Sequence, residues 1–154
     1  MKLAQLNVGY ARYPTDDPRM AEFMDNLDRI NALAERSPGF VWRMQAGNGN
    51  ATDIAVPGDP DLIANLSVWT DVASLGHYVF NTVHARFYEK GDHWFDPMKV
   101  PHVVMWHVAD GHIPDLHEAM DRLHHLRTHG STNHAFGWDA VDANAWRRCA
   151  TAAE

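Results

Sequence analysis

Four residues between positions 77 and 88 could do chemistry together. On a continuous helix His77, Asn81, His84 and Tyr88 fall at i, i+4, i+7 and i+11 and share one face. A polar stripe on a helix that packs on a sheet suits a pocket with a few placed donors and acceptors. An imidazole titrates near neutral pH, so His84 is a candidate general base. The plainer alternative makes His77 and Tyr88 surface residues and His84 a hydrogen-bonded core histidine.

A second group lies on segments that otherwise look buried: Asn7, Arg43, Gln45, Asn65 and Ser67. Strand alternation places several of them on one sheet face, where a ligand or water network would have to satisfy them. Arg43 and Gln45 could equally reach a rim. Asn65 is the stronger candidate because Ile63 and Leu66 beside it look interior. Trp42, Trp69, Trp94 and Trp106 could wall an aromatic pocket, although core filling is the usual work of any one tryptophan. His102 follows Pro101 at a strand start and shares the alternation of Trp106, so a place at the mouth of the cavity is expected. Asp121, His125 and His129 have a spacing that can hold a metal. They fall on the polar side of their helix, so a solvated surface is the expectation and no metal is assigned. His77 and His84 stand roughly 10 Å apart along a helix and cannot share an ion.

The elements that must position these groups follow in order. Leu3 to Tyr13 alternates as a strand, with Ala4, Leu6, Val8 and Tyr10 opposite Gln5, Asn7 and Gly9. Asp16 or Asp17, followed by Pro18, opens a helix to about Arg36 with Met20, Phe23, Met24, Leu27 and Ile30 on its apolar face. Strands are expected at 40–45, 62–69 and 100–108, and a long hairpin connection at 46–60. Thr70 or Asp71 caps the central helix, and Lys90-Gly91-Asp92 interrupts it. Pro114 opens a last helix ending at Gly130, and 135–138 could add a short edge strand. The order β-α-β-β-α-β-α predicts a ferredoxin-like, four-stranded antiparallel sheet of the α+β class, with helices on one face plus a C-terminal helix. One domain over 1–138 and a tail over 139–154 are expected. Phe40-Val41-Trp42 and Val103 to Trp106 are apolar on both faces, so the second face needs a cover. A second copy of the sheet would supply it, which predicts a homodimer.

Composition narrows the class. The chain has 154 residues, a net charge of -7 and no basic cluster, which removes the electrostatic footprint of a nucleic-acid binder. Cys149 is the only cysteine, so no internal disulfide forms and no thiolate zinc cage. No signal peptide or membrane-spanning run is seen, and a cytoplasmic protein without a membrane partner is the default expectation. Six tryptophans and eleven histidines are the unusual feature that remains.

The run Ser67-Val68-Trp69, then Leu75, then His84, resembles the strand-to-helix signature of the dimeric α/β-barrel superfamily. That superfamily includes antibiotic-biosynthesis and heme-degrading monooxygenases. The chain to about Trp138 resembles one uncharacterised branch, marked by Asn65 to Trp69, His84, Trp94-Phe95, Pro101-His102, Trp106, Gly111-His112 and a helix over 122–127. Where that branch carries a basic stretch, this chain has Glu89-Lys90-Gly91-Asp92. The resemblance implies a homodimer with an aromatic or apolar small-molecule ligand and no cofactor. It implies a monooxygenase with His84 as base. Asn65, Arg43 or Asn7 would stabilise an oxyanion, and Trp69, Tyr78, Trp94, His102 and Trp106 would contact substrate. Heme is the alternative ligand it implies: Asn7 and His84 match the heme-degrading relatives in place, and Tyr78 or His77 stands where they carry a Trp. A non-enzymatic module for apolar ligands is the third possibility.

Overall fold

A computed structural model describes residues 1–45, 56–82 and 84–142. The expected connection at 46–60 therefore lies largely outside the described residues, as do Cys149 and most of the tail.

Strand β1 is Lys2–Tyr10, and a single 3-10 turn at Pro18–Met20 leads into α1, Ala21–Arg36. Asp17 caps that turn, accepting from the Arg19 amide at 2.8 Å. Strand β2, Phe40–Arg43, and β3, Leu62–Trp69, follow. Helix α2 is Val72–Asn81, capped by Asp71, whose side chain accepts from the Ser74 amide. Short helices α3, His84–Glu89, and α4, Gly91–Trp94, precede β4, Val103–Val108. Helix α5, Leu116–His129, is capped by Asp115 and stops at Gly130. Positions 135–138 contribute one bridge, Met105 to Phe136, rather than a strand.

The sheet order is β2-β3-β1-β4, with every pair antiparallel. Register decides what shares a face. Asn7 lies opposite Asn65 and Val103, Gln5 opposite Ser67 and Met105, and Leu3 opposite Trp69 and His107. These residues form one face, with Arg43 opposite Ser67 on β2. Helices α1 and α2 cover part of it through Ile30, Leu33, Ala34, Leu75, Tyr78 and Val79. The other face carries Ala4, Leu6, Val8, Ala64, Leu66, Val68, Val104 and Trp106. Ala119, Leu123 and Leu126 of α5 pack on it.

Two expectations change here. The cover for the second face comes from α5 of the same chain, so doubly apolar strands do not by themselves call for a partner copy. Trp106 lies under α5 on that face, fully buried, with its indole Nε1 donating to Glu118 Oε1 at 3.0 Å. It cannot touch a ligand on the Asn7–Asn65 face. Alternation grouped the even-numbered residues of β4 correctly; the register against β1 decides which face they take. His102 precedes β4 and is held to β1 by its carbonyl, which accepts from the Val8 amide at 2.9 Å; it nevertheless lines the cavity on the opposite face from Trp106.

Candidate functional site

A cavity of about 440 Å³ lies between the Asn7–Asn65 face and the helices. Its floor is polar: Gln5 and Asn7 on β1, Asn65 and Ser67 on β3, Arg43 on β2. Asn65 belongs to an interior strand and is nevertheless exposed on the cavity floor. Below it the floor is tightly bonded. Ser67 Oγ accepts from both Gln5 Nε2 and Trp69 Nε1 at 2.9 Å, and Arg43 Nε donates to Glu35 Oε1 at 2.8 Å. Gln45 lies past the end of β2, exposed and outside the lining.

The roof is largely aromatic. Phe23, Asn26, Leu27, Ile30 and Asn31 form the stripe that α1 turns toward the cavity. Phe87, Trp94 and Phe95 close one end; the Phe23 ring lies 5.5 Å from Trp94 and 5.2 Å, edge-on, from Phe95. Phe95 is held to the end of β1 by its bridge with Ala11 and by the Asp96 amide donating to the Tyr10 carbonyl. It seats on the sheet where Gly9 leaves room: a Cβ there would stand 2.9 Å from the ring.

The central helix is not continuous, and the break is what aims His84. Thr82 is extended (φ -119°, ψ -176°); its hydroxyl donates to the Tyr78 carbonyl at 2.6 Å and accepts from the His84 amide at 3.2 Å. A threonine that satisfies the end of one helix and the start of the next competes with the helical ladder. His77 and Asn81 are left outside the lining, while His84 and Tyr88 reach it. The His84 ring packs against Tyr78, with centroids 4.7 Å apart, and its Nδ1 lies 3.2 Å from the Val79 carbonyl. A carbonyl only accepts, so Nδ1 carries the proton and Nε2 of the neutral ring carries the lone pair. No side-chain nitrogen or oxygen that is fully buried lacks a partner among the described residues; Nε2 has no partner among them, so it is not fully buried, and the residue lines the cavity. Burial pushes the His84 pKa below its ordinary value, only partly offset by the Val79 bond. The ring is therefore neutral at pH 7.

Tyr78 stacks on Trp69 at 5.2 Å and donates its hydroxyl to the Ile30 carbonyl at 3.2 Å. Burial raises its pKa well above the usual value, so it stays a phenol. Its ring borders the cavity while its hydroxyl ties α2 to α1. Trp69 and Trp94 line the cavity although both are nearly inaccessible; Trp42 packs on the opposite face. Several lining residues were not singled out from the sequence, Gln5 and Trp138 among them. Gln5 is legible as the i−2 partner of Asn7 on one strand face; Trp138, beyond α5, has no such signal. On α5, His125 stacks on His129 at 4.3 Å and lies 4.5 Å from His134. Among the described residues no group of three or more His, Cys, Asp or Glu side chains is arranged to hold a metal ion. Nor is any described helix long and apolar enough to cross a membrane.

Residues 2–151 match the family described as a domain of unknown function, DUF3291. The chain belongs to that family. No curated protein matches the sequence. Among solved structures, a conserved protein from Methanosarcina mazei Go1 is 12% identical, over 71% of this chain and 94% of that one, with a TM-score of 0.51. A point mutant of SnoaB, a cofactor-independent oxygenase from Streptomyces nogalater, is 15% identical over 74% and 98%, with a TM-score of 0.50. A candidate antibiotic biosynthesis monooxygenase from Chloroflexus aurantiacus J-10-fl is 16% identical over 73% and 97%, with a TM-score of 0.47. At these identities the likeness is one of fold. This DUF3291 chain shares its four-stranded antiparallel sheet and helix arrangement with the Methanosarcina mazei protein and the SnoaB mutant.

Proposed function

We propose that the protein is a cofactor-free, monooxygenase-like enzyme acting on an aromatic, phenol-type substrate in the sheet–helix cavity. One observation carries the reading: the His84 ring lines an aromatic cavity with Nδ1 3.2 Å from the Val79 carbonyl, which leaves Nε2 as the nitrogen to take a proton. His84 Nε2 takes the proton from the substrate. Asn65 and Asn7, adjacent across β1 and β3, donate to the oxyanion that forms. Arg43, paired to Glu35, adds positive potential at the β2 edge. Trp69, Trp94 and His102 border the ring, and Tyr78 holds His84 in place. The electron-rich anion then reacts with O₂. For an anthrone-type CH₂ the product is a carbonyl: one oxygen atom is retained, the other leaves as water, and both electron pairs come from the substrate. That the cavity neighbours a fold shared with a cofactor-independent oxygenase supports this reading over simple storage of an apolar ligand. The active form in this reading is a homodimer, for which exposed Val41 and half-buried Trp42 and Met44 on the β2 side remain available.

The test is oxygen uptake by purified protein across a panel of anthrones and polycyclic phenols, without added cofactor. One O₂ should be consumed per substrate, and His84→Gln should lower kcat/KM by about 10²–10⁴-fold. Binding without oxygen uptake across the panel would leave a ligand-binding module; equal turnover by His84→Gln would remove the base from the mechanism.

A further inference from the structure

A second cavity of about 290 Å³ adjoins the first beneath the segment that follows α5. The two share Tyr88, His102, Val103 and Trp138 as a common wall. The annex differs from the main cavity in chemistry. Beyond the shared wall its polar groups are Ser131 and Asp139, with the backbone of Gly130 and Gly137. Ser131 Oγ lies 2.9 Å and 3.1 Å from the two oxygens of Asp139 and accepts from the Gly137 amide at 3.1 Å. One hydroxyl has one proton to give, so most of the acceptor capacity of that carboxylate is left over. Asp139 is exposed, and among the described residues only the Ser131 hydroxyl hydrogen-bonds its carboxylate.

Aromatic faces beside a carboxylate, a hydroxyl and an imidazole suit one kind of group. A pyranose ring presents C–H faces to aromatic rings and a rim of hydroxyls that need acceptors. In the annex the rings are Trp138 and Tyr88, and the acceptors are Asp139, Ser131 and His102. Trp138 is braced edge-on by Phe80 at 5.0 Å, and Phe80 also braces Tyr88 at 5.7 Å, so both rings are held in place.

We propose that the annex is a second subsite, and that the substrate is an aromatic compound carrying a hydroxylated, sugar-like substituent. The aromatic part lies in the main cavity beside His84, and the substituent passes the Tyr88–His102–Trp138 wall to hydrogen-bond Asp139. The proposal rests on the main cavity being the substrate site.

The probes are 1,4-dihydroxynaphthalene and its monoglucoside, titrated into the full-length protein by calorimetry. The glucoside should bind about tenfold more tightly. Asp139→Asn should remove that advantage while the affinity for the aglycone is unchanged, which also reports an intact fold. His102→Ala, at an exposed position whose side chain makes no hydrogen bond to the described residues, should weaken the glucoside in the same direction. Equal affinity for the two probes, or a glucoside preference that survives both substitutions, overturns the annex and leaves the main cavity standing. If neither probe binds the native protein, the reading of the main cavity falls with it.

Discussion

Replacing Ser67 by alanine removes one oxygen and leaves two donors behind. Ser67 and Gln5 are each 6% exposed and Trp69 is 1% exposed, so water reaches the group poorly. Trp69 Nε1 loses its partner outright. Gln5 Nε2 keeps only a 3.4 Å contact to the Asn65 carbonyl, longer than an ordinary hydrogen bond, although its side chain also borders the cavity. A buried donor without a partner costs about 1–3 kcal/mol, and the half-satisfied glutamine adds less, so Ser67→Ala should cost about 2–4 kcal/mol. For a chain of this size the midpoint of thermal unfolding should fall by roughly 5–15 °C. Trp69→Phe removes the stranded donor itself, so Ser67→Ala with Trp69→Phe should cost about 1–3 kcal/mol less than the sum of the single changes. Guanidinium unfolding followed by far-UV circular dichroism measures the cycle without relying on tryptophan emission. A cost for Ser67→Ala below about 0.5 kcal/mol, or an additive cycle, would refute the view that this hydroxyl is the shared acceptor of the floor.

The lowered His84 pKa means that the folded protein binds that proton less readily than the unfolded chain. Stability from this group is complete above the ordinary histidine pKa of about 6.5 and is lost as pH falls below it; His84→Gln should flatten that part of the stability–pH curve. By the same sign the acid limb of kcat/KM should fall below about pH 6.5, and a limb above it would contradict a neutral base. Gly39 has φ +85°, and a Cβ there would run into the Ser74 side chain and lie 2.6 Å from Thr70 Oγ1. Gly39→Ala should therefore cost about 1–3 kcal/mol by denaturant unfolding, with Ser74→Gly recovering only part because the backbone strain remains. Leu123 is fully buried between α5 and the sheet, so Leu123→Ala should cost about 2–5 kcal/mol; a smaller loss would mean that α5 does not cover that face in solution.

Periodicity carried most of the fold. β3 runs over 62–69 as its apolar run implies, α1 ends at Arg36, and β4 starts three residues later than expected, Pro101 having no amide to give and His102 reaching β1 only through its carbonyl. His84, Asn65, Asn7 and Arg43 line one cavity, and this was partly legible because two of them alternate with apolar neighbours on strands. The stripe of His77, Asn81, His84 and Tyr88 was not realised. A helical pattern carries no mark of a threonine hydroxyl that ends one helix and opens another, and that junction turns His84 inward without His77.

The sequence by itself determined the α+β element order and which residues alternate together, and narrowed two caps to Asp16 or Asp17 and Thr70 or Asp71, because these depend on local bonding and on periods of two and 3.6 residues; the structure picks Asp17 and Asp71 and adds Asp115. Only the tertiary structure decided which face of each strand meets which helix. Register between β1, β3 and β4 set Asn7 against Asn65 and left the interior-strand Asn65 exposed. The same register, with α5 packed on the far side, took Trp106 out of the cavity. Alternation is identical for both faces, so the choice between floor and core rests on contacts far apart in the chain.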